Sequence, residues 1–212
     1  LRKGTRPEMS SASENDRRQL AAGLFESTVN ELKSVLDQLG QVHLDAVLNL
    51  AADIQAAWRQ GGQFLVCGNG GSAADSQHIT AELVGRFLAD RPGYRAEALT
   101  GNSSILTAVG NDYGFDHIFS RQVQALGRPG DVLLVISTSG NSPNCVLAVE
   151  EARRQKMKVH GFLGGTGGAL LPLLDSALVV PSSSTPKIQE IHITMGHLLC
   201  MVLERWQGLG DD

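Results

Sequence analysis

His78 and Glu82 stand four residues apart in DSQHITAE, so on a helix both project from one face and an imidazole lies within reach of a carboxylate. Towards the other end of the chain, KIQEIHITMGHLLC carries Gln189, Glu190, His192 and His197. A neutral imidazole, a carboxylate and an amide oxygen are donor types that together hold a divalent ion such as zinc and leave a position open for a substrate oxygen. The same carboxylate, in a partly buried setting, can instead serve as a general base. Gln189 and His197 are eight residues apart, a rise of about 12 Å at roughly 1.5 Å per residue of helix. Both reach one ion only if Gln189 bends inward from the start of the helix or a second copy of the chain contributes. The spacing therefore makes a site between subunits attractive.

Two loops offer a second kind of chemistry. Gly68-Asn69-Gly70-Gly71-Ser72 follows the apolar run QFLVC, and Ser137-Thr138-Ser139-Gly140-Asn141-Ser142 follows VLLVI and precedes Pro143. Small residues let a ligand approach the backbone, and hydroxyls next to a helix N-terminus, with proline at its first position, make a cradle for an anion such as a phosphate monoester. One helix dipole is worth only about 0.3–1 kcal/mol, so affinity has to come from several charge-assisted hydrogen bonds acting together. A dinucleotide is disfavoured, because GNGGSA is not G-x-G-x-x-G and no acidic residue ends the next apolar run.

The elements that must carry these groups follow from the period of the apolar residues. Helical spacing runs through 20–39 and 44–58, and Gly61-Gly62 ends it. Strands are then predicted at 64–67, 96–99, 132–136, 159–163 and 177–180. Helices are expected at 73–88, after the second strand, at 144–155 and finally at 188–206. Alternating strands and helices imply right-handed crossovers and a parallel sheet covered on both faces, an α/β three-layer sandwich preceded by N-terminal helices. Ligands of such sheets sit outside the carboxyl ends of the strands, where both loops fall. A single domain is expected over 17–212, with 1–16 polar enough to be disordered and Met9 a candidate initiator.

At 212 residues with 18 basic against 22 acidic side chains, a net charge of −4, the chain has no electrostatic footprint for nucleic acid. No apolar run approaches the roughly 18–20 residues that span a bilayer, and LRKGTRPEMSSASENDRRQ has no hydrophobic signal core. Neither membrane insertion nor export is expected. Cys67, Cys145 and Cys200 are odd in number and set among apolar neighbours, which suits reduced thiols and a cytoplasmic location.

CGNGGSAADSQHITAELVGRF, TAVGNDYGFD, ISTSGNS and IQEIHITMGH, in this order and spacing, resemble the sedoheptulose 7-phosphate (phosphoheptose) isomerases of the sugar isomerase (SIS) domain superfamily, over residues 20–205. The resemblance implies a five-stranded parallel sheet flanked by helices, a homotetramer with intersubunit active sites, and one zinc ion per subunit. It also implies conversion of D-sedoheptulose 7-phosphate to D-glycero-D-manno-heptose 7-phosphate, the first step towards activated heptoses. Asn69, Gly70, Gly71, Asn111, Asp112, Ser137, Thr138, Ser139, Ser142, Glu82 and Gln189 fall on substrate-binding positions, and His78, Glu82, Gln189 and His197 on zinc positions. Glu82 and His197 are the acid/base candidates. Lys187 departs from the family, where arginine is frequent. A noncatalytic SIS scaffold that binds a replication initiator protein is the alternative, although it needs neither Glu82 nor His197.

Overall fold

In the computed structural model, which describes residues 13–207, the apolar runs form five strands: β1 (Phe64–Gly68), β2 (Ala96–Ala98), β3 (Val132–Ser137), β4 (Lys158–Gly164) and β5 (Ser176–Val180). Their order in the sheet is β2-β1-β3-β4-β5, and every pairing is parallel. Around them lie α1 (Glu14–Leu36), α2 (Gln41–Arg59), α3 (Gly71–Val84), α4 (Ser103–Tyr113), α5 (Ser120–Leu126), α6 (Pro143–Arg154) and α7 (Thr185–Gln207).

Side chains alternate across a strand, so consecutive apolar residues feed two cores. Phe64, Val66, Val132, Leu134 and Ile136 pack with α2, α3 and α7, whereas Leu65, Cys67, Leu133 and Val135 pack with α5 and α6. The expected three-layer α/β sandwich is the result. It explains why these strands read as unbroken apolar runs.

The first helix departs most from expectation. It begins at Glu14, six residues before the periodic stretch, because Ser13 accepts a hydrogen bond from the Asp16 N–H at 3.2 Å while the Asp16 carboxylate accepts from the Ser13 N–H at 3.1 Å. This reciprocal cap satisfies two orphan donors, and it falls within the 1–16 stretch expected to be disordered, of which Ser13 is the cap and 14–16 are helical. The remainder of that stretch, 1–12, lies outside the described residues. Of the helix's apolar face only Val35 is buried, while Leu20, Leu24 and Phe25 stay 60–71% exposed. No helix among the described residues is long and apolar enough to cross a membrane.

The chain leaves β1 towards β2 on one side of the sheet and reaches β3 on the other. The carboxyl ends of β1 and β3 are thus neighbours at the point where strand order reverses, with Gly68 in register with Ile136. Both small-residue loops start there.

Candidate active site

The hydroxyl loop and the glycine loop meet in a cleft of about 70 Å³ lined by Asn69, Ser72, Ser137, Thr138, Ser142 and Gln189. Ser137 Oγ accepts the Gly140 N–H at 3.1 Å and lies 3.4 Å from Ser142 Oγ, so the loop folds back on itself with hydroxyls facing the space. Ser139 turns elsewhere: its Oγ accepts the Asn141 N–H at 3.2 Å, and with Thr138 it borders a neighbouring cleft of about 340 Å³ shared with Thr166, Ser182, Ser183 and Thr185. The Asn69 amide is spent on a reciprocal pair with Asn144, 2.8 Å in each direction, which ties the two loops together. Asn144 is a buried part of this arrangement that spacing did not single out, its only signal being proximity to the loops, and Ser72, read as the end of the glycine loop, is also buried.

Two helices carry the rest. Gly196 of α7 faces Ile79 of α3 so closely that a Cβ there would lie 2.7 Å from Ile79 Cδ1. That close approach brings the flanking residues together: His78 Nε2 lies 2.9 Å from His197 Nε2 and 3.4 Å from Glu82 Oε1. His78 and Glu82 keep side-chain exposures of 48% and 28%. Phe87 stacks on the His197 ring with centroids 5.6 Å apart.

Gln189 belongs to the other end of the pair. Its amide covers Gly71, where a Cβ would meet Nε2 at 2.5 Å and Cδ at 2.8 Å. Gly71 precedes His78 by seven residues, about 10 Å along α3. Of the four expected zinc positions, the chain sets His78 against His197 and against Glu82 and keeps Gln189 apart. Among the described residues no group of three or more His, Cys, Asp and Glu side chains forms a ready-made cage for an ion. Asn111 and Asp112 are exposed at the last turn of α4, bonded to each other at 2.8 Å, and do not line the hydroxyl cleft.

Burial sets the electrostatics nearby. Asp75, one turn before His78, is pushed up by burial, with the His78 charge opposing, and its Oδ2 has no hydrogen-bond partner. His192, fully buried, donates from Nε2 to the Leu163 carbonyl at 3.0 Å, and burial pushes its pKa down to about 4 despite that bond. His192 is thus a neutral strut between α7 and β4. Glu190 forms an ion pair with Lys187 at 2.9 Å. The three cysteines are free and buried.

The family model described as "SIS domain" matches residues 29–164, which puts this doubly wound sheet with a hydroxyl loop at its switch point in the SIS class. Phosphoheptose isomerase of Solidesulfovibrio magneticus is 50% identical over 194 residues, 92% of each chain. That of Rhodospirillum rubrum is 55% identical over 159 residues, 75% of this chain and 85% of the relative. A solved phosphoheptose isomerase from Francisella tularensis superposes with a TM-score of 0.80 at 41% identity, covering 89% of this chain and 98% of that one. The chain belongs to the phosphoheptose isomerase family.

Proposed function

We propose that this chain interconverts D-sedoheptulose 7-phosphate and D-glycero-D-manno-heptose 7-phosphate, an aldose-ketose isomerisation. The observation that carries the mechanism is the contact of Glu82, His78 and His197 where α3 meets α7, on the same helix pair whose other end borders the hydroxyl cleft. Backbone N–H groups and the hydroxyls of Ser137, Thr138 and Ser142 hold the phosphate, with Ser139 beside them. This remote binding energy orients the reacting end of the sugar. Glu82 removes the proton from the carbon beside the carbonyl, an enediolate forms, and a proton returns to the neighbouring carbon, with His197 as the partner acid.

The donor types at the α3–α7 contact fit zinc, since imidazoles and a carboxylate are its usual ligands and His78 Nε2 lies 2.9 Å from His197 Nε2 and 3.4 Å from Glu82 Oε1. His78, Glu82 and His197 would hold the ion, with Gln189 supplied by a second copy of the chain; an imidazole nitrogen that binds zinc carries no proton, so His197 acts as the acid only when it is not a ligand. Bound there, zinc would act as a Lewis acid towards the substrate's oxygens. Asn111 and Asp112 would likewise reach substrate across a subunit boundary. A homotetramer accounts for this division, and the exposed apolar face of α1 supplies surface for it. The buried free thiols accord with work in the cytoplasm. A noncatalytic scaffold is not favoured, because the relatives are isomerases; the contacts of His78 with His197 and with Glu82 support the enzymatic reading.

The test is to incubate the protein with sedoheptulose 7-phosphate in heavy water and follow the sugar by NMR. The expected outcome is an aldose product carrying solvent deuterium beside its carbonyl. No conversion would overturn the activity, and conversion without exchange would count against the enediolate. Metal content and activity before and after chelation test zinc.

A further inference from the structure

Beyond the reacting groups, a second polar cluster holds the two helices that carry them. We propose that Arg91 and Glu204 are positioning residues for the proton transfer, fixing α3 and α7 so that Glu82 and His197 both stay against His78. This inference rests on the assignment of those two side chains.

Glu204 lies on α7 seven residues after His197, about two turns further on. Its carboxylate accepts the N–H groups of Phe87, Leu88 and Ala89 at 3.0, 3.0 and 3.3 Å, and the Arg91 Nε–H at 3.0 Å. Arg91 spends its other nitrogens on the end of α3: Nη2 donates to the Glu82 carbonyl at 2.9 Å, and Nη1 to the carbonyls of Leu83 and Gly85 at 2.8 and 3.3 Å. The last carbonyls of a helix have no partner within it, so the guanidinium closes the turn on which Glu82 stands. Its own plane lies 3.9 Å over Tyr94, which stacks on Trp58. Side-chain exposures of 9% for Arg91 and 5% for Glu204 put this network out of solvent, where charge-assisted bonds are strong and a missing partner is costly. Phe87 completes the link, since the backbone that Glu204 grips carries the ring stacked on His197. One ion pair thus governs the setting of both side chains without touching substrate.

The cluster is remote from the phosphate. Gly71 and Glu82 are eleven residues apart, about 16 Å along α3, so a change at Arg91 should alter turnover and spare anion binding. The experiment uses the full chain with Arg91→Lys and Glu204→Gln, and Val47→Ala in the buried face of α2 as a control for general destabilisation. The expected result is a kcat about ten- to a hundredfold lower, as for a misplacement of roughly 1 Å, with the inhibition constant for inorganic phosphate unchanged. NMR supplies a readout that needs no turnover: the His197 ring protons, shifted by the Phe87 ring, should move in both variants and hold still in Val47→Ala. Wild-type kcat with unmoved His197 resonances overturns the proposal. So does a kcat loss of equal size in Val47→Ala at matched melting temperature, or a parallel weakening of phosphate. If the wild-type chain itself turns over no sugar, the proposed activity fails, and positioning is then judged on the resonances alone.

Discussion

Replacing Gly71 by alanine is expected to separate activity from stability. The added Cβ would lie 2.5 Å from Gln189 Nε2, 2.8 Å from Cδ and 2.9 Å from Oε1. Contacts of this kind settle at about 3.5–4.0 Å, so the amide must retreat by roughly 1 Å from its place at the edge of the hydroxyl cleft. What yields is the far end of a flexible side chain, and Gly71 is an exposed residue at the start of α3, so the fold pays little. Alanine in a helix gains up to about 1 kcal/mol over glycine. A displacement near 1 Å in a positioning group costs on the order of a hundredfold in rate. The measurement is kcat/KM on sedoheptulose 7-phosphate beside a thermal melt, with Gly68→Ala as the contrast. At Gly68 the Cβ would meet the Ile136 carbonyl at 2.7 Å and Ser72 Cβ at 2.8 Å, atoms that cannot swing aside, so that variant should lower the melting temperature. Gly71→Ala with wild-type kcat/KM would mean that the Gln189 amide takes no part in binding or catalysis.

Glu82→Gln keeps the shape of the α3–α7 contact and removes the base, so turnover should vanish while the elution volume on size-exclusion chromatography stays the same; near-native turnover would remove the assignment. Ser139→Ala combined with Ser142→Ala should raise KM for the phosphosugar, and an unchanged KM would move the phosphate elsewhere. His192 gives a pH dependence. The folded ring stays neutral down to about pH 4, from a reference of 6.5, because burial penalises its charge, whereas the unfolded ring takes up a proton near 6.5. Between these values the unfolded state binds more protons, so stability is whole above about pH 6.5 and falls towards pH 4, by roughly 3 kcal/mol from this group. Chemical denaturation across that window should lose much of this slope in His192→Asn.

Most of the architecture could be read directly from the order of residues. Strand and helix alternation in an unbroken apolar rhythm, with VLLVI and QFLVC ending in small-residue loops, admits few packings other than a parallel sheet with a ligand at its carboxyl edge, and the sheet has that form. Boundaries were less legible where a local hydrogen bond overrides periodicity. The Ser13–Asp16 cap extends α1 beyond its apolar stripe, and α3 stops at Val84 rather than at 88, where Gly85 follows and Arg91 takes up its last carbonyls.

Spacing on one helix places His78 beside Glu82, because 3.6 residues per turn is a local property of the backbone. It also separates Gln189 from His197 by a fixed rise, and the structure keeps them at opposite ends of the α3–α7 contact. Which residue of α7 meets His78 depends instead on how two helices 100 residues apart in sequence dock, and that was decided by Gly196 against Ile79 and by Arg91 with Glu204. No pattern in the sequence marks such pairs, since each partner is ordinary until packing brings the other to it. Local chemistry belongs to the order of the residues, whereas the meeting of imidazole with imidazole belongs to the tertiary contacts that set one helix against another.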